Sequence, residues 1–300
     1  MIATPDGYAH NGSTRLAYDD LGGKGGEPLL LIMGASVTRF WWPAGFVSAL
    51  IDRGFHVARF DNRDSGQSTR FPMAGRGPIT SVFRLRSSAY TFEDMTDDVA
   101  AVLDALGWGS AHLFGHSLGG LIAQRTAIRH RPRVLSLTTS GAVPSDATAR
   151  HLLRYIRPGL IARLSRMRFP ETREGDIAFG MAISRLLASP GYPFDDNTAM
   201  DRVRSDGYCP VRDTSVMGRQ LGAPWSGGRL DGVDVPATIL QGEADQLLRA
   251  SAARALARAI SGARLRTFPG VGHDLPRAMW PVYADEIRAV ADRANGSAGF

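Results

Sequence analysis

Gly115-His116-Ser117-Leu118-Gly119 sets a serine between glycines at a spacing that suits one kind of chemistry. An apolar run at 111–115 precedes it and a helix-period segment at 118–130 follows, so the serine falls on a tight strand-to-helix turn with its hydroxyl projecting above the sheet edge. Small flanking residues are what such a turn needs, because neighbouring backbone passes very near the serine. A serine hydroxyl is a weak nucleophile until a base takes its proton, so a histidine belongs in the same site.

Seven histidines are available. His10 lies in the opening turn, His56 and His112 inside strand patterns, His130 at a helix end and His151 in a later helical stretch; all five read as structural. His116 leaves the turn in a different direction from the serine and reads as a pocket-lining residue. His273 remains, in the glycine-rich loop Pro269-Gly270-Val271-Gly272-His273-Asp274 after the last strand pattern, where open α/β sheets assemble their sites. An acid must orient that histidine, from a strand-end loop between the serine and the histidine. Asp245 in Gln241-Gly242-Glu243-Ala244-Asp245 fits best, with Asp146 and Glu243 as alternatives.

Charge developing on an attacked carbonyl oxygen needs two donors. The backbone N–H of Leu118 supplies one. The loop Met33-Gly34-Ala35-Ser36 after the first parallel strand supplies the other, through the Ala35 N–H or the Ser36 side chain, with Gly34 allowing the sharp turn. Trp41 and Trp42 follow that loop and offer an aromatic wall for a planar substrate; core packing or helix capping is the alternative for one of them, since Pro43 starts a helix. Gly34, Ser36, Trp41, Trp42 and His116 therefore form the expected substrate-binding set beside the triad Ser117, His273 and Asp245.

The elements that must position these groups are readable. Asn11-Gly12 predicts a hairpin turn. Short apolar runs at 29–33, 55–60, 111–115, 134–139, 237–241 and 263–268 predict buried strands, and helix-period segments at 43–53, 94–106, 118–130, 251–260 and 281–294 alternate with them. Buried strands separated by helices mean a mostly parallel central sheet flanked by helices. From Val143 to about Leu230 the rhythm breaks: helical patterns at 149–156, 159–167 and 176–187 are punctuated by prolines. The expectation is an α/β core formed by 1–143 and 231–300, with a helical cap at 144–230 inserted after the sixth strand. The polar turn Asp61 to Ser68 reads as a structural brace.

Composition narrows the class. The 300 residues are 44% hydrophobic, enough for a large core. The 35 basic residues stand against 29 acidic ones mixed along the chain, and all the basic ones but Lys24 are arginine; this does not suit a nucleic-acid binder. Arginines around 84–86 and 163–168 read as solvated faces. One cysteine, Cys209, cannot make an internal disulfide or a thiolate metal site, which fits a cytoplasmic setting. No apolar stretch suits a signal peptide or a membrane span. G-x-G-x-x-G, P-loop and H-E-x-x-H patterns are missing, so no cofactor or metal is expected.

The ordered motifs resemble the α/β-hydrolase superfamily over nearly the whole chain: Leu31-Ile32-Met33-Gly34, the turn Phe60-Asp61-Asn62-Arg63-Asp64-Ser65-Gly66-Gln67-Ser68, the elbow, the Asp245 loop and the His273 loop. Within it the chain is most similar to the aclacinomycin methylesterases and related actinobacterial ester hydrolases, through Met-Gly ahead of the oxyanion loop, the Asn-Arg-Asp turn and Gly191-Tyr192-Pro193-Phe194-Asp195-Asp196. Ala35 departs from that group, which has a second glycine there. The resemblance implies an α/β-hydrolase fold and a serine hydrolase acting on a small or medium-sized ester, polyketide-like molecules included; composition and the lack of an apolar span leave no nucleic-acid or membrane partner expected, and the chain is expected as monomer or homodimer. The same triad also suits lactone, thioester or C–C bond hydrolysis or perhydrolysis, and a non-catalytic ligand-binding role on this fold is the competing class.

Overall fold

The computed structural model describes residues 4–72, 89–164, 166–206 and 214–297; Arg84, Arg86 and Cys209 lie outside them. Strands β1 (Gly7–Asn11) and β2 (Thr14–Asp20) make the opening hairpin. Its turn is Gly12-Ser13, one residue later than Asn11-Gly12, because Asn11 pairs with Thr14 and Gly12 takes φ +56°. That register sets buried Ala9 opposite buried Leu16; a one-residue slip would turn one strand's apolar face outward.

β3 (Glu27–Ile32), β4 (Phe55–Phe60), β5 (Ala111–His116), β6 (Val134–Ser140), β7 (Ala237–Gly242) and β8 (Arg264–Phe268) complete an eight-stranded sheet ordered β1-β2-β4-β3-β5-β6-β7-β8. β2 meets β1 and β4 antiparallel, and every pairing from β4 onward is parallel. Among the described residues the α-helices, in chain order, are α1 (Ala44–Ile51), α2 (Phe92–Ala105), α3 (Leu118–Arg129), α4 (Ala149–Tyr155), α5 (Pro158–Leu164), α6 (Arg173–Leu187), α7 (Asp196–Asp206), α8 (Thr214–Gly222), α9 (Ala250–Ala259) and α10 (Trp280–Ser297).

Alternation along β3 shows how the sheet is sandwiched. Leu29 and Leu31 pack with Phe46 and Leu50 of α1 and Tyr283 and Ile287 of α10. Leu30 and Ile32 face the other layer, with Val99 and Leu103 of α2 and Ile122 of α3. Each such leucine or isoleucine contributes about 1.5–3 kcal/mol by leaving water. β8 departs from the expected doubly buried strand: it is the sheet edge, and Arg264, Arg266 and Thr267 on it are exposed.

Helices α4 to α8 all lie between β6 and β7, that is, after the sixth strand. Two of them, α7 and α8, have no counterpart in the sequence patterns. α7 is a polar helix that buries Ala199 and Val203, spacing too sparse to stand out. Among the described residues, no helix is long and apolar enough to cross a membrane.

Candidate active site

Ser117 joins β5 to α3 with φ +55° and ψ −119°, a conformation that costs a non-glycine residue about 1–3 kcal/mol. The flanking glycines make the turn possible. A Cβ on Gly115 would lie 2.2 Å from the Gly119 carbonyl oxygen, and one on Gly119 would lie 1.9 Å from that of Ile32. The Ser117 N–H donates to the Ser140 carbonyl at 2.9 Å, tying the elbow to the end of β6. Leu118 is the first residue of α3, so its N–H has no carbonyl of its own helix to meet and sits at the positive end of the helix dipole.

The structure brings Asp245 and His273 together: His273 Nδ1 lies 2.8 Å from Asp245 Oδ2, and both side chains are buried. Asp245 is saturated with donors, since Oδ1 accepts from the N–H groups of Leu247 (2.7 Å) and Leu248 (2.8 Å) and Oδ2 also accepts from Gln241 Nε2 at 3.2 Å. Burial pushes this carboxyl up, but His273 and the two backbone donors outweigh it and leave its pKa lowered. An ionised carboxylate only accepts, so Nδ1 carries the proton and Nε2 is the basic nitrogen of neutral His273. Burial alone pushes His273 down; the Asp245 carboxylate overturns this and raises its pKa. The other acids stand elsewhere: Asp146 accepts from the Leu230 N–H at 3.4 Å, and Glu243 is exposed.

His273 lies alongside the strand ends that carry Ser117. A Cβ on Gly141, the residue after β6, would fall 3.0 Å from His273 Cε1, and the His116 and His273 rings are 5.1 Å apart. His116 Nε2 donates to the His273 carbonyl at 3.1 Å, so this residue braces the histidine loop. Burial, then the neighbouring His273, push the His116 pKa down to about 3, which keeps it neutral.

The loop after β3, residues 33–36, runs beside the elbow. A Cβ on Gly34 would sit 3.3 Å from Ser117 Cβ. Asn62 Nδ2 donates to the Met33 carbonyl at 2.9 Å. Ser36 is fully buried at φ +59°, and its N–H is committed to Gln220 Oε1 at 2.8 Å. Trp41 Nε1 donates to Asp206 Oδ2 of α7 at 3.0 Å. Trp42 takes the packing alternative, inside an aromatic cluster with Phe46 and Phe114 at 6.0 and 5.3 Å. The turn after β4 is a brace as expected: Asp61 accepts from the Arg39 backbone (2.7 Å) and guanidinium (2.6 Å), and Asp64 pairs with Arg219 of α8 at 2.8 Å.

Two residues with no local sequence signal stand out. Gln220 of α8, fully buried, holds Ser36 and donates to the Arg63 carbonyl (2.9 Å) and Ser65 Oγ (3.1 Å). Asp206 is driven up to about 7 by burial, against the Trp41 hydrogen bond. Among the described residues, no group of three or more histidine, cysteine, aspartate or glutamate side chains is placed to hold a metal ion.

Sheet order, elbow and strand-end loops define a hydrolase of the α/β class, and the chain belongs to the alpha/beta hydrolase fold family, which it matches over residues 27–276. Rhodomycin D methylesterase DnrP of Streptomyces peucetius is 30% identical over 297 residues, covering 93% of this chain and 95% of the relative. Rhodomycin D methylesterase DauP of Streptomyces sp. strain C5 is 28% identical, covering 90% and 93%. Among solved structures, the esterase RhEst1 of Rhodococcus sp. ECU1013 superposes with a TM-score of 0.70 at 19% identity over 97% of this chain and 99% of its own. The chain is thus an ester-acting α/β hydrolase.

Proposed function

We propose that this chain is a cofactor-independent serine ester hydrolase in which Ser117, His273 and Asp245 form the catalytic triad. The observation that carries the reading is the 2.8 Å contact between His273 Nδ1 and a donor-saturated Asp245, on loops beside the strained Ser117 elbow. Ser117 Oγ attacks the ester carbonyl while His273 Nε2 takes its proton and returns it to the leaving alcohol. Water, deprotonated by the same nitrogen, then cleaves the acyl-enzyme. Asp245 holds the tautomer and stabilises the imidazolium. The N–H groups of Leu118 and Ala35 receive the oxyanion.

Residues 144–230 act as the cap over a core of 1–143 and 231–300, and Trp41, joined to α7 through Asp206, forms part of the substrate wall. The likeness to two rhodomycin D methylesterases along nearly the full chain supports a methyl ester on a polycyclic, polyketide-like acid as the substrate class. The single cysteine supports a cytoplasmic setting. Methanol release from such methyl esters, measured for wild type and Ser117→Ala, tests the reading. Release lost in the variant is expected; release at the wild-type rate would sink the assignment.

A further inference from the structure

The linker between α6 and α7, residues 188–195, contains Gly191-Tyr192-Pro193-Phe194-Asp195 and crosses the loop that carries His273. The two segments are joined main chain to main chain. The His273 N–H donates to the Leu187 carbonyl at 3.0 Å and the Gly191 N–H to the Gly270 carbonyl at 2.9 Å. Their approach leaves no room for side chains: a Cβ on Gly191 would lie 2.6 Å from Gly270 Cα, and one on Gly272 would lie 2.8 Å from the carbonyl oxygens of Leu187 and Ala188. Gln246, next to Asp245, also donates to the Ala188 carbonyl at 2.6 Å.

At the centre of this contact is Ser189, only 3% exposed. Its Oγ accepts from the Gly272 N–H at 2.7 Å and donates to Asp274 Oδ1. We infer that Ser189 is a positioning residue for His273: its hydroxyl clasps both sequence neighbours of the histidine and fixes the imidazole from the inserted segment. The inference rests on His273 being the base.

The geometry has a direct chemical reading. A hydroxyl has one proton to give, and here it goes to Asp274 while a lone pair meets Gly272, so one side chain fixes the loop on either side of His273. The His273 amide is pinned by Leu187 and its ring by Asp245, so what Ser189 adds is to hold the loop on either side of the histidine in register with them. Burial holds the Asp274 carboxyl above the usual range, and Ser189 counters that shift. The glycines at 270 and 272 gain a second reason: they let the inserted backbone close on the histidine loop.

Ser189→Ala leaves the Gly272 N–H without its acceptor and lets the loop drift. Displacement of a general base by less than 1 Å is enough to lower kcat roughly 10- to 100-fold, with KM within about threefold. His273 serves both halves of the reaction, so pre-steady-state acylation and deacylation are expected to slow by the same factor. Ser189→Cys fills nearly the same space with a weak donor and reports the same loss should Ser189→Ala fold poorly. In a cycle with Asp274→Ala, the double variant is expected to lose no more than the worse single one, because both changes open one clasp. Wild-type kcat in both Ser189 variants, or a loss confined to KM, overturns the inference. Ser117→Ala run alongside separates the two layers: activity abolished there with none lost at Ser189 rejects the clasp alone, and activity retained there rejects the triad beneath it.

Discussion

Gln220→Leu tests whether α8 holds the oxyanion loop in its working shape. Gln220 is fully buried, and its amide spans 184 residues of sequence to reach the Ser36 N–H at 2.8 Å. The same amide donates to the Arg63 carbonyl at 2.9 Å. Leucine of similar volume leaves those two buried backbone groups orphaned, at about 1–3 kcal/mol each, so stability is expected to fall by about 2–6 kcal/mol. Against a total of about 5–15 kcal/mol this is a large share, so the variant is expected to melt well below wild type. The catalytic effect is separable from this. Ser36 sits at φ +59°, and without Gln220 nothing holds its amide, so that strain relaxes through the adjoining Ala35 peptide. Losing an oxyanion donor costs about 10²–10³ in kcat, and a displaced one part of that, so kcat is expected to fall about 10- to 100-fold with KM little changed. Steady-state kinetics on a methyl ester well below the melting temperature, with chemical denaturation in parallel, reads both quantities. Full kcat in a destabilised Gln220→Leu would refute the assignment of Gln220 to the oxyanion loop and leave it a purely structural residue.

Other expectations follow from the charged groups. His273 is raised by Asp245 and must be neutral to act, so kcat/KM is expected to rise with pH through a midpoint above about 6.5, the ordinary imidazole value. In Asp245→Asn burial is opposed only by Asp274, so the midpoint falls from its wild-type position and the rate falls about 10⁴-fold; an unmoved midpoint would contradict the pairing. Asp206, lifted to about 7 by burial, binds its proton more tightly folded than unfolded. Its contribution is fully present below the unfolded carboxyl pKa near 4 and is lost as pH rises to 7, amounting to about 4 kcal/mol at most. Asp206→Asn is therefore expected to flatten that decline and to melt higher than wild type at pH 8; an equal pH dependence in both would show that Asp206 ionises freely.

Much of the layout could be read because the chemistry constrains short stretches of chain. The elbow demands glycine at 115 and 119, where any Cβ would strike backbone, and the strand-end loops carry their acid and histidine in a fixed order. The contact between Asp245 and His273 was readable for that reason. The hairpin register was not, since Asn11-Gly12 and Gly12-Ser13 are both acceptable turns and the choice is made by burial of Ala9 and Leu16. Trp42 and Trp41 are adjacent in sequence, yet one enters an aromatic core and the other reaches a carboxylate of α7, a division set by tertiary packing. Gln220 and Ser189 carry no local pattern: their partners lie 184 and 83 residues away, and periodicity says nothing about contacts across that distance.

In the proposed mechanism Ser117 carries the acyl group between the two half-reactions. Rapid mixing with p-nitrophenyl acetate, quenching, and intact-mass detection with peptide mapping tests it most directly. Wild type is expected to give a burst of nitrophenol and one added acetyl group localised to Ser117, and Ser117→Ala neither burst nor adduct. An adduct on another residue, or undiminished turnover by Ser117→Ala, would contradict it.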